Sequence, residues 1–367
     1  MFYPVSVFLS SCLAKASVVC EDGGSAPRRL VVLGMGGTIA GRAASADDNV
    51  GYRAGEVGVG ELLGALPVLP GFALEAEQVC QIDSKDMGPV HWQALAGALD
   101  RHLARPEVAA VVVTHGTDTL EETAYLLHRL VGAAKPVVLT AAMRPATALS
   151  ADGPRNLADA LVVAAEAARL DWHGVVAVMG GQVWAGAELR KWHSYRVDAF
   201  DAGDAGPLAL VQEGRVLPLR AWPAGGALGT ALVREPVASW PQVDIVTSHA
   251  GANGRLVKLL MTAGVDGLVV AGTGNGTLHA DLEAALVKAE RAGIRVLRST
   301  RSLSGGVVEP SDGAGTARID GAAPPADARA VATRRLPSAG SLTPAQARVE
   351  LLLDLLGQRS RPRGRTG

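Results

Sequence analysis

Cysteine is nearly missing from this chain. Of its 367 residues only Cys12, Cys20 and Cys80 carry a thiol, and the first two fall within the first 28 positions. A single cysteine in the body cannot close an internal disulfide, so the fold does not depend on an oxidising compartment. Aromatic side chains are scarce at 4%, charged residues reach 19%, and 48% of the chain is hydrophobic. The net charge is −1, with no basic stripe in the body. That balance fits a folded globular chain and gives no footing for nucleic acid. Metal-ligand spacing is missing too. His115, His128, His173 and His193 are scattered without a paired His/Cys cluster, and are read as surface or supporting side chains. Neither a Gly-x-Ser-x-Gly elbow nor a phosphate-binding P-loop occurs.

The N-terminal stretch lacks what a secretory signal requires. Val5 to Leu13 is apolar and Ala14-Lys15-Ala16 resembles a small-residue cleavage site, yet no Lys or Arg precedes it. It reads either as a weak signal peptide or as an over-extended start, and it is too short to cross a bilayer. The missing charged segment and disulfide favour the cytoplasm, with the periplasm as the alternative. At the other end, Gln358 to Arg365 is locally basic and reads as a solvated tail.

The remaining chain is long enough for two domains. Leu30-Val31-Val32-Leu33, Gln78 to Asp83, Val108 to Val113, Lys135 to Thr140 and Val175 to Met179 read as strands. Between them, Val90 to Leu103, Leu120 to about Leu130 and Asp152 to Leu170 read as helices. Thr119-x-x-Glu122 has the form of a capping box. Such alternation predicts a larger, doubly wound, mostly parallel α/β domain with right-handed crossovers. The periodicity fades around Arg220 to Trp240. It returns at Val243 to Val246, Gly267 to Val270 and Arg295 to Leu297, predicting a second, smaller α/β domain closed by a helix near Pro344 to Leu356. The expected division is an extension at 1–28, a first domain at 29–218, a linker at 219–241, a second domain at 242–357 and a tail at 358–367.

Two glycine turns bearing threonine concentrate the chemistry. The first is Gly34-Met35-Gly36-Gly37-Thr38-Ile39-Ala40-Gly41 and the second is Thr114-His115-Gly116-Thr117-Asp118-Thr119, each at the end of an apolar run. Loops past the carboxyl ends of parallel strands build ligand sites in open α/β sheets. Two hydroxyls and a carboxylate therefore meet at one edge, as an enzyme with a threonine nucleophile requires. Plainer readings exist for each turn. Gly34-x-Gly36 could open a dinucleotide loop, although Ile39 stands where a third glycine belongs; Thr38 or Thr117 could simply cap a helix. A threonine hydroxyl needs a base, and Lys191 is a candidate, its plainer reading being a solvated surface lysine.

Gly36 to Gly41 and Thr114 to Ala124 resemble the two signatures of the bacterial L-asparaginases. Further landmarks follow in order: Ala142 to Pro145, Ser150 to Pro154, Gly206-Pro207-Leu208, Gly274-Asn275-Gly276 and Pro344 to Arg348. The resemblance spans Arg29 to about Leu356. It implies that Thr38 is the nucleophile, attacking the side-chain amide of L-asparagine to form a β-aspartyl ester and release ammonia. It implies that Tyr52 on a mobile loop helps activate Thr38, and that Thr117, Lys191 and Asp118 form a supporting triad. Ser84, Lys85, Thr117 and Asp118 line the substrate site, with Ser84 and Asp118 holding its α-carboxylate and α-amino groups. The family needs no metal or organic cofactor, binds a small-molecule substrate, and assembles as a homotetramer, a dimer of dimers completed across subunits. No nucleic-acid or membrane partner is implied.

Four departures bear on substrate preference. Lys85 stands where a glutamine is usual, Thr277 replaces an asparagine, and the family's disulfide is absent. The acidic residue offered to a neighbouring subunit is matched only by the candidates Glu309 and Asp312. The leading expectation is an L-asparagine amidohydrolase. A broad glutaminase-asparaginase, an amidotransferase subunit and an inactive amino-acid binding protein are the alternatives.

Overall fold

Leu30, Val31, Val32, Leu33 and Met35 leave no face for water, and all five are buried. Strands covered on both faces in this way form the centre of a parallel sheet. The computed structural model describes residues 27–64, 69–131, 135–223, 228–309 and 336–360. It places β1 (Arg28–Gly36), β2 (Phe72–Ile82), β3 (Val108–Thr114), β4 (Val137–Thr140) and β5 (Val175–Met179) in one sheet. Their order is β5-β4-β3-β1-β2 and every pairing among them is parallel. Antiparallel strands β6 (Gln182–Ala185), β9 (Ala209–Gln212) and β10 (Arg215–Pro218) extend the sheet beyond β5 to eight strands. A separate ribbon pairs β7 (Arg190–Lys191) with β8 (Phe200–Asp201).

Alternation along the strands divides the core. Val31, Leu33, Val111, Val113, Val137 and Leu139 face one way, packing under α2 (Pro89–Leu103) and α3 (Leu120–Leu130). Leu30, Val32, Ala110, Val112 and Val138 face the other, under α4 (Gly153–Arg169) and next to α1 (Val59–Gly64). The first domain is therefore doubly wound, as the alternating pattern predicts. The smaller C-terminal domain has a parallel sheet of β11 (Val243–Thr247), β12 (Gly267–Gly272) and β13 (Arg295–Thr300), with α5 (Arg255–Ala263) and α6 (Ala280–Arg291) between them. Helix α7 (Pro344–Ser360) joins the two: Leu351, Leu352 and Leu355 share the core that holds Leu126, Leu127 and Val269. Arg129 and Tyr125 of α3 both bond the Glu350 carboxylate of α7, at 2.7 and 2.9 Å.

Several local readings shift. β2 starts at Phe72, six residues before the predicted Gln78, and α7 runs four residues past Leu356. The hairpin strands β6, β9 and β10 and the short α1 are additional to the sequence reading. The segment expected as a linker contains two 3-10 turns, Thr230–Val233 and Val237–Ser239, and packs down, with Val233 and Trp240 buried. The Gln93 side chain of α2 donates to the carbonyls of Val233 and Glu235 at 2.8 and 2.9 Å. The N-terminal positions 1–26, and with them Cys12 and Cys20, lie outside the described residues, as do 361–367. No helix among the described residues is long and apolar enough to cross a membrane.

Candidate active site

The crossover from β1 reaches β2 on one side, while the chain beyond β3 continues to β4 on the other. Adjacent strands whose connections diverge leave a crevice at their carboxyl ends. Gly37 and Gly116 meet in that crevice. Gly37 has φ +82°, and a Cβ there would fall on the Gly116 backbone, with the His115 carbonyl carbon at 2.8 Å. A Cβ on Gly116 would collide with the Ser84 hydroxyl and sit 2.7 Å from Ser84 Cβ. Only glycine at both positions lets the loops after β1, β2 and β3 touch. Thr38, Ser84 and Thr117 follow from these contacts, all three buried.

Thr38 opens a 3-10 turn, Thr38–Ala40, and its Oγ1 lies 2.6 Å from the Tyr52 hydroxyl. Tyr52 arrives on the segment after Gly41. That segment is held by paired backbone bonds between Arg42 and Arg53, by Gly55 N–H to the Gly37 carbonyl at 3.1 Å, and by Val57 N–H to the Ala40 carbonyl at 2.8 Å. Burial pushes the Tyr52 phenol above its ordinary pKa, the bond to Thr38 opposes this, and the charges of Asp83 and Asp118 reinforce it. Tyr52 is thus a neutral phenol at neutral pH.

The second cluster centres on Lys191. Its ammonium donates to Asp118 Oδ1 at 2.6 Å and to Thr117 Oγ1 at 3.0 Å. Pairing of Lys191 with Phe200 in the short ribbon sets its backbone, and its N–H donates to Glu121 Oε2 at 2.9 Å. The Lys191 side chain is 17% exposed and that of Asp118 53%, so the pair spans from interior to solvent. Burial pushes the Glu121 carboxyl up to about 7, against the Lys191 backbone bond that lowers it.

Ser84 ties the clusters together. Its hydroxyl accepts the Asp118 N–H at 3.1 Å, leaving its own proton free to donate. Its carbonyl accepts the Thr119 hydroxyl at 2.8 Å. The capping box expected at Thr119-x-x-Glu122 is not formed: Thr119 makes no side-chain cap to its helix, and its hydroxyl is directed at the Ser84 carbonyl instead. Lys85 is turned elsewhere. Its ammonium, 60% exposed, contacts Asp86 at 2.6 Å and Asp83 at 3.3 Å. Those anions, the Asp86 bond foremost, raise its pKa.

The fold thus brings Thr38, Tyr52, Ser84, Thr117, Asp118 and Lys191 together, with Lys85 beside them but pointed away. Glu121 and Asp83 are side chains that the sequence reading did not single out, and His115, read there only as a surface or supporting histidine, is fully buried. His115 lay within the second glycine turn, Glu121 just after it and Asp83 directly before Ser84, without spacing to mark a role. Of the two acidic residues expected as candidates for a neighbouring subunit's site, Glu309 pairs with Arg298 at 2.6 Å and Asp312 lies outside the described residues. No group of three His, Cys, Asp or Glu side chains among the described residues could hold a metal.

Comparison with known proteins finds a family for both halves of the chain. Residues 29–222 match the family described as "Asparaginase, N-terminal", and 242–364 match "Glutaminase/Asparaginase C-terminal domain". L-asparaginase 2 of Escherichia coli (strain K12) is 37% identical over 284 residues, covering 77% of this chain and 80% of that protein. A glutaminase-asparaginase of Pseudomonas fluorescens biotype A is 34% identical over 281 residues, 76% of this chain and 77% of its own. Among solved structures, the probable cytoplasmic L-asparaginase from Campylobacter jejuni superposes with a TM-score of 0.76 at 33% identity, covering 89% of this chain and 95% of that one. With both halves of the chain matched and the two threonine turns meeting at one crevice, this protein belongs to the asparaginase family.

Proposed function

We propose that the protein hydrolyses L-asparagine to L-aspartate and ammonia through an ester on Thr38. The observation that carries this reading is the 2.6 Å contact between the buried Thr38 hydroxyl and Tyr52, with the Lys191–Thr117–Asp118 cluster one glycine contact away. Thr38 Oγ forms a bond to the side-chain amide carbon. Its proton leaves through Tyr52, and the C–N bond breaks as the amide nitrogen gains a proton and departs as ammonia. Water then adds to the ester: its hydroxyl joins the carbon, the bond from the carbon to Thr38 Oγ breaks, and the water's other proton restores the Thr38 hydroxyl as aspartate leaves. Because Tyr52 is a neutral phenol, it serves as a relay that accepts one proton while releasing another. Lys191 is placed to move a proton through the Thr117 hydroxyl that it contacts.

Asp118, half-exposed, offers its carboxylate to the substrate ammonium, and the free hydroxyl proton of Ser84 offers a donor to the α-carboxylate. Lys85 receives no role in this reading, since Asp83 and Asp86 hold its ammonium. No cofactor or metal is required. The reading extends to a homotetramer built as a dimer of dimers, to a cytoplasmic location supported by the likeness to the Campylobacter protein, and to a division of the chain at 29–218 and 242–357.

Glutamine differs from asparagine by one methylene, which a shaped pocket discriminates by only about 1–3 kcal/mol. A broad glutaminase-asparaginase is therefore the second reading, favoured by the Pseudomonas relative. The test is ammonia release from asparagine and from glutamine by the wild type and by Thr38→Ala. Turnover by Thr38→Ala at the wild-type rate would refute the nucleophile; a wild type equally fast on both amides would replace the first reading with the second.

A further inference from the structure

His115 is completely buried between β3 and the helices that cover it. Its Nδ1 lies 2.8 Å from the carbonyl of Gly116 and its Nε2 lies 3.0 Å from Thr123 Oγ1 on α3. Trp92 on α2 donates its indole N–H to the same Thr123 hydroxyl at 3.0 Å. These partners leave no freedom in the protons. A carbonyl only accepts, so Nδ1 carries the imidazole proton. A neutral ring then has a bare Nε2, which must accept, so the Thr123 hydroxyl donates to it. That hydroxyl's lone pair is free for the indole N–H, which can only donate. The chain of bonds runs one way, from Trp92 through Thr123 and His115 to the Gly116 carbonyl. Burial drives His115 down to about 4, keeping the ring neutral where the chain needs it neutral.

The far end of this chain is the peptide that seats the site. The Gly116 Cα touches Gly37 and Ser84, and the next residue, Thr117, presents its hydroxyl to Lys191. Turning the Gly116–Thr117 peptide would move that hydroxyl off the Lys191 ammonium and break the packing against the Thr38 loop. We infer that His115 is a positioning residue which, as the neutral Nδ1–H tautomer ordered by Thr123 and Trp92, fixes the Gly116 carbonyl and thereby holds Thr117 against Lys191. This rests on the proposed role of Thr117 and Lys191 in proton transfer, and identifies what keeps that pair aligned.

The test combines a spectroscopic and a kinetic readout on the full-length protein. Nitrogen-15 NMR of the imidazoles should show His115 neutral with Nδ1 protonated and unchanged between about pH 6 and 8. Thr123→Val keeps the shape but removes the hydroxyl, and should lower kcat by about tenfold or more with KM for asparagine little changed. Thr123→Ser restores the hydroxyl at the loss of a buried methyl. It should recover most of kcat although it loses packing that the valine variant keeps, an order that packing alone would not produce. An Nε2–H tautomer in the wild type would overturn the inference, and that spectrum decides it even where Thr123→Val fails to fold. Wild-type kcat in a folded Thr123→Val would overturn it equally. Thr38→Ala, assayed in parallel, separates the two readings: activity surviving there removes the nucleophile and leaves the His115 tautomer standing.

Discussion

Gly116→Ala adds a single methyl at the point where three loops converge, and its effect can be worked out from what that methyl meets. It would overlap the Ser84 hydroxyl and lie 2.7 Å from Ser84 Cβ and 3.1 Å from Gly37 Cα. Ser84 has little room to withdraw. It is buried, its hydroxyl accepts the Asp118 N–H, and its carbonyl accepts the Thr119 hydroxyl. Overpacking of this kind costs about 1–3 kcal/mol, within the usual 5–15 kcal/mol of a folded protein, so the variant is expected to fold. The melting temperature should fall by roughly 2–4 °C per kcal/mol for a domain of this size. Catalysis should suffer more, because spreading the loops separates Thr38 from Thr117, and displacement near 1 Å costs on the order of 100-fold. Gly97→Ala on α2 is the control: the nearest atom to its Cβ is the Arg101 guanidinium at 3.9 Å, so it should gain about 0.5–1 kcal/mol of stability at unchanged activity. Thermal melts and steady-state ammonia release on both variants decide the matter. Gly116→Ala with wild-type kcat/KM would refute the claim that this contact sets the site.

Lys191→Met should lower kcat by about 100-fold or more, and combining it with Thr117→Val should cost little extra, since the two act as one unit in steady-state assays. Lys85→Gln should leave the glutamine-to-asparagine ratio of kcat/KM within about twofold, as its ammonium is directed to Asp83 and Asp86; a larger shift would give Lys85 a substrate contact. Glu121→Gln keeps an acceptor for the Lys191 N–H but removes a carboxyl whose folded pKa is raised to about 7, so its stability contribution is present below the unfolded value near 4.5 and lost as pH rises through 7. The variant should therefore match the wild type below about pH 4.5 and exceed it above pH 7 by on the order of 3 kcal/mol, read from denaturation midpoints across pH. His115 carries the opposite slope: with its folded pKa depressed, its contribution is present above about 6.5 and lost as pH falls toward 4, so Glu121→Gln should also expose an acid-side loss that the carboxyl otherwise offsets.

The parallel half of the large sheet was legible because its strands are apolar without interruption. Val108 to Val113 offers water no face, which only a doubly covered strand tolerates. The antiparallel extension was harder to see, because β6, β9 and β10 are four residues each and mix polar with apolar side chains. Their signal lay in the turns. Gly180-Gly181 and Glu213-Gly214 each join two paired strands with φ positive at both residues, a tight two-residue hairpin turn. The two-residue ribbon that sets Lys191 has no periodicity of its own, so the position of that lysine depends on tertiary pairing and on Glu121. The misread Thr119 shows the same limit from the other direction. The capping pattern was present in the sequence, but the hydroxyl is oriented toward a carbonyl of a distant loop and makes no bond to its own helix.

The location of the site follows from strand order, which local pattern does not fix. β1 and β3 are separated in sequence by β2 and α2, yet they are neighbours in the sheet, with Gly34 opposite Thr114. If β2 lay between them instead, the two threonine turns would be separated by another strand spacing of about 4.8 Å, and Gly37 could not touch Gly116. Placing β2 outside β1 makes the connection from β1 turn one way and that from β3 the other, which opens the crevice between them. The glycines then permit backbone contact across it, and the residue following each glycine supplies a hydroxyl. Neither turn could assemble this site alone: Thr38 brings Tyr52 from its own segment, Thr117 brings Asp118 and meets Lys191, and Ser84 comes from the outer strand to bind them.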